Sequence, residues 1–144
     1  MCIRNRAISA VVALGFGLKI TLLSSAASAV AFDGSANLLC AALDVVGCEN
    51  GPGCWEGQAR DLELPQFILI DFENKVVRAK DDTGQKKVSP IKNLQKTDKQ
   101  LIIQGVENDH GWSGRIDRES GDINFVAAGP EVSFMIFGAC TALQ

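Results

Sequence analysis

Imidazole chemistry has a single residue to work with in this chain, His110. One histidine excludes any histidine-rich metal site and leaves only one way to assemble a hydrolase triad, from His110, Ser113 three residues on, and an aspartate. No nucleophile elbow surrounds that serine, and a histidine between Asp109 and Gly111 reads as a solvated turn tip. The cysteines never fall in the Cys-x-x-Cys spacing of a structural zinc knuckle. The glycines of Gly51-Pro52-Gly53 are followed by no Lys-Ser or Lys-Thr, which excludes a phosphate-binding loop. An uninterrupted apolar run of about 20 residues, the length a membrane-spanning helix needs, is also missing. Lys19 breaks the one candidate, and Ser24, Ser25 and Ser28 follow it.

That broken apolar run has the layout of an export signal. Arg4 and Arg6 precede it, and Ala27-Ser28-Ala29 supplies the small residues of a peptidase site, so cleavage is expected after Ala29 and the mature chain begins at Val30. Cys40 lies beyond this site and follows Leu38-Leu39, which does not suit lipid attachment. Residues 30–144 then form one domain with a modest core. The mature part carries 11 basic against 17 acidic side chains, net −6, which argues against a nucleic-acid partner. Eight of the basic residues fall between Lys75 and Lys99. They read either as solvated outer faces that discourage edge pairing or as a docking patch in which Lys86 and Lys87 are the partner contacts.

Four cysteines remain after export, Cys40, Cys48, Cys54 and Cys140, and an even count in an oxidising compartment points to two disulfides. Leu39, Ala42, Leu43 and Val46 recur at helical spacing after the capping candidates Asp33 and Ser35, so one helix is expected over about 35–47. A helix would hold Cys40 and Cys48 roughly 12 Å apart, too far to bridge. Cys48 and Cys54 flank the Gly-Pro-Gly turn, which pairs them and leaves Cys40 for Cys140.

From about residue 55 to 140 the pattern is a meander. Leu101, Ile103, Trp112, Ile116, Ile123, Phe125, Val132, Phe134 and Ile136 recur at every second position of their segments, one apolar face per strand. Turn chemistry separates the segments at Asn74, at Asp81-Asp82-Thr83-Gly84, at Thr97-Asp98, from Asn108 to Gly111, from Asp117 to Gly121 and at Gly129-Pro130. The expected class is mainly β, an up-and-down antiparallel meander of six to eight strands forming a small barrel or half-barrel, with the N-terminal helix tied on by a disulfide.

The segments Ser-Pro-Ile-Lys-Asn from Ser89, Gln-Gly-Val-Glu-Asn from Gln104, Gly111-Trp112-Ser113, Ile116-Asp117 with Ser120-Gly121, and Phe137-Gly138-Ala139-Cys140 together resemble the C-terminal half of small, uncharacterised exported β-rich proteins of Gram-negative bacteria. The resemblance implies an exported β-rich domain and brings no activity with it.

For function, Asp71, Glu73, Asp117, Glu119 and Asp122 all stand at or near turns, where carboxylates bend chains, and nothing in their spacing marks a buried acid/base pair. No catalytic residue, cofactor or metal ligand is assigned. Trp55 and Trp112 are candidate ligand or partner contacts, each suited to plugging a barrel end or lining a cavity. The expectation is a periplasmic or secreted binding domain that presents a loop or sheet face to another envelope protein. A small apolar-ligand binder of lipocalin-like shape is the alternative, marked by an apolar cavity; an inhibitor of a secreted hydrolase is a third reading.

Overall fold

The computed structural model describes residues 32–143 except 63, 81–83 and 85. The expected export signal therefore lies outside the described residues, as does most of the turn expected at Asp81-Asp82-Thr83. The strands in chain order are β1 (Leu38–Glu49), β2 (Gly53–Gly57), β3 (Phe67–Asp71), β4 (Val76–Lys80), β5 (Lys86–Lys96), β6 (Gln100–Glu107), β7 (His110–Asp117), β8 (Asp122–Ala128) and β9 (Val132–Ala142), with a short 3-10 turn, Ala59–Leu62, between β2 and β3. Every pairing is antiparallel, β3 through β9 follow one another in space, and β1 joins β3 to β9. The result is a closed eight-stranded up-and-down barrel. β2 is the extra strand. It pairs with the second half of β1, Val45 to Glu49, while the first half, Leu38 to Ala41, pairs with β3.

Residues 35–47, expected as a helix, correct that reading: Leu38 to Glu49 is the strand β1. A β-bulge between Ala42 and Asp44 produces the misleading spacing. Before it Leu38 and Cys40 point inward; after it the inward residues are Val45 and Gly47. One extra residue, Leu43, shifts the two-residue alternation by a step and so imitates a helical repeat. Leu39 and Leu43, two members of the supposed apolar stripe, are exposed on the outside of the barrel.

The disulfides are Cys40–Cys140 and Cys48–Cys54, the pairing expected, but they are strand-to-strand links. Cys40 stands directly opposite Cys140 across β1 and β9, and Cys48 directly opposite Cys54 across β1 and β2. Cys140 gives its N–H to the Gly121 carbonyl on the β8 side, away from β1. It therefore meets Cys40 at a close, non-hydrogen-bonded position, where facing side chains approach most nearly.

The core runs along the barrel axis and includes Leu38, Cys40, Ile70, Leu101, Ile103, Ile116 and Ile123, all nearly or wholly inaccessible. Among the described residues, hairpin turns stand where the turn chemistry places them at Asn108–Asp109 and at Asp117–Gly121. Asn108 and Asp109 both take positive φ in the two-residue turn between β6 and β7, as a tight hairpin demands. Gly121 takes a φ of 77° and gives its N–H to Asp117. One end of the barrel is shut. Phe32 lies buried against Gly121, so close that a Cβ on that glycine would stand 2.5 Å from its ring. Asn37 fastens the same segment, its side chain accepting from the Phe72 N–H at 2.9 Å and its carbonyl from Leu143 at 2.8 Å.

Candidate functional site

The opposite end is open. Inside it lies a cavity of about 310 Å³, floored by Cys40, Val77 and Ile123 and walled by Trp112, Phe125 and Ile136. A volume of this size falls at the lower end of the range for small-molecule sites. Phe125, Phe134 and Ile136 point inward as their alternation predicts, yet they line the space without filling it, because the eight-stranded circumference holds facing walls apart.

Trp112 is the organising side chain. It sits opposite Gly105 of β6, and its indole occupies the room where a Cβ on Gly105 would otherwise be. Passing over that glycine, the ring reaches the next strand but one and donates its Nε1–H to Ser89 Oγ on β5 at 2.7 Å. Trp112 is 6% and Ser89 4% exposed, so this is a buried, satisfied pair. On the other side Trp112 stacks with Phe125, centroids 5.4 Å apart and planes at 23°. The indole N–H is thereby spent, and Trp112 contributes its apolar surface to the wall.

The rim is polar. Lys87 shares the inward phase of Ser89 and Ile91, and Glu107, Asn108 and His110 stand at the β6–β7 turn. His110 Nδ1 is 2.8 Å from the Asn108 carbonyl. A carbonyl only accepts, so Nδ1 carries the proton and Nε2 is left against Gly129.

The remaining candidates are scattered. Trp55 does not line the cavity; it folds over Gly47 of β1 and packs edge-to-face with Phe134, centroids 5.9 Å apart. Lys86 is exposed one position from Lys87 and faces outward. The basic span is not one patch. Lys87 stands at the mouth, Lys96 crosses Gly34 at the shut end, and Arg78 pairs with Asp71 at 3.4 Å. Ser113 and His110 alternate on β7 toward opposite faces, so the strand itself keeps serine and imidazole apart. Asp71 and Asp117 cap turns. The Asn74 backbone and side chain hold the Asp71 carboxyl below the usual range, with help from Arg78, and the Ser120 and Glu119 backbone N–H groups do the same for Asp117, with help from Arg115. Both are built to stay ionised, the reverse of a general acid. All four cysteines among the described residues are in disulfides, which removes the thiolates a zinc site would need there.

Ser89 is the functional candidate that sequence reading missed, for its partner lies 23 residues away across a strand that belongs to neither. The one trace was Gly105, a glycine in mid-strand, which signals close approach of another group. No protein-family model, curated protein or solved structure matches the chain.

Proposed function

We propose that this domain binds a small apolar ligand inside the barrel. The cavity between Trp112, Phe125 and Ile136, shut at one end by Phe32 and open at the other, carries the reading. Sequence alone put docking to an envelope protein first and named an apolar cavity as the feature that separates the two roles. Ligand burial against these walls would supply about 25 cal/mol per Å² of apolar surface removed from water. The apolar interior differs from the polar lumen of a lipid-spanning barrel, and the outer face mixes Arg78 and Arg115 with exposed apolar side chains such as Leu43, Phe67 and Val106. The export-like N-terminus and the two disulfides support a periplasmic or secreted setting.

The test is Nile red, a neutral dye whose emission shifts to the blue in apolar surroundings. The intact domain is expected to bind it, and Ala127→Phe, which projects a ring into the cavity from β8, to abolish binding with the fold kept by circular dichroism. Binding that survives a filled cavity would move the site elsewhere and defeat the proposal.

A further inference from the structure

We infer that the ligand is a neutral apolar molecule carrying a hydrogen-bond-accepting oxygen, of the ketone or ester class, and that Ser89 is the residue that selects it. This rests on the reading of the cavity as an apolar-ligand site. Among the residues lining it, the charged and amide groups are confined to the rim, and Ser89 is the hydroxyl set into the wall. Its oxygen already accepts from Trp112 Nε1. A hydroxyl is also a donor, and among the described residues no acceptor takes the Ser89 proton. A buried donor left without a partner costs free energy until a guest supplies one. The indole therefore fixes the oxygen and leaves the hydroxyl hydrogen to point toward the cavity, where a carbonyl oxygen completes the pair.

The same geometry disfavours charged guests. An ionised head buried beside Ser89 would be desolvated among Val77, Ile123 and Phe125 with no counter-charge. The rim carries one ammonium, Lys87, and one carboxylate, Glu107, so its charged groups do not favour one sign. A pure hydrocarbon would fill the space and leave the hydroxyl unpaired.

Three eight-carbon probes, methyl hexyl ketone, octane and octanoate, separate these cases by displacement of Nile red. Trp112→Phe is the background, so that no indole N–H can substitute for the hydroxyl. Adding Ser89→Ala there is expected to weaken the ketone about fivefold to tenfold and leave octane unchanged. On the unmodified domain the bound ketone's carbonyl stretch should fall below its frequency in hexane, a readout that does not depend on either variant folding. A hexane-like stretch, or equal loss of ketone and octane, overturns the role of Ser89 while the cavity reading stands. Octanoate bound more tightly than the ketone and weakened by Lys87→Gln overturns the neutral class in favour of an anionic amphiphile. Failure of all three probes and Nile red defeats this inference and the cavity reading together.

Discussion

Gly121→Ala is the sharpest test of how the barrel is shut. Two costs add at this position. A φ of 77° is left-handed, which costs an L-residue about 1–2 kcal/mol. The new methyl would also stand 2.5 Å from the Phe32 ring and must drive it from its seat. Losing the burial of a phenylalanine costs about 1.5–3 kcal/mol more. Gly121 has little room to move aside, because its carbonyl accepts the Cys140 N–H at 2.9 Å and its own N–H is held by Asp117 at 3.0 Å. The sum is about 2.5–5 kcal/mol, and at roughly 4 °C per kcal/mol for a domain of this size the melting temperature falls by about 10–20 °C. The two costs separate in a double-mutant cycle read by urea denaturation. In a Phe32→Ala background Gly121→Ala should cost only the backbone share, about 1–2 kcal/mol, leaving a coupling of about 1.5–3 kcal/mol. Effects that simply add would show that Phe32 does not seal this end.

Three further outcomes are expected. Removing the Cys40–Cys140 link by paired serine substitutions should cost up to about 4.7 kcal/mol and removing Cys48–Cys54 about 2 kcal/mol in the chain-entropy model, because the loops they close differ so much in length; equal midpoint shifts would refute that account. Asp117 has a folded pKa below its ordinary value, so its stabilisation is complete above about pH 4 and disappears as the pH falls through the folded value. Asp117→Asn should flatten the acid limb of urea midpoint against pH, and an unchanged limb would count against the turn. Intact-mass measurement on envelope material should find the chain starting at Val30, and retained Met1 would refute the export signal.

The β6–β9 hairpins were legible because turn residues and two-residue alternation say the same thing there. Asp117 to Gly121 is the clearest case, where the carboxylate accepts two backbone N–H groups and the glycine supplies the left-handed φ. β1 was misread for a definite reason, since periodicity is a phase measurement and the bulge at Leu43 resets the phase within a single strand. The disulfide pairing survived that error, as an extended chain carries Cys40 and Cys48 even further apart than a helix does. Trp112 was marked as a residue of interest, but its role required Gly105 below it and Ser89 beyond it, three residues on three strands. The cavity has no local signature at all. It arises from the number of strands in the circle, and alternation reports which side chains point inward without reporting how far apart they stand.

The covalent tie between β1 and β9 also bears on how an incomplete chain would differ from a finished one. Cys40 precedes its partner by 100 residues, and the cysteines that lie between the two in the chain are Cys48 and Cys54. The local pair between those two removes both competitors. Without β9, Cys40 would lack its partner and the β9-facing edge of β1 would be uncovered. A chain truncated between Cys54 and Cys140 would therefore present both an open sheet edge and a free thiol, two separate marks by which a quality-control system can recognise an unfinished molecule.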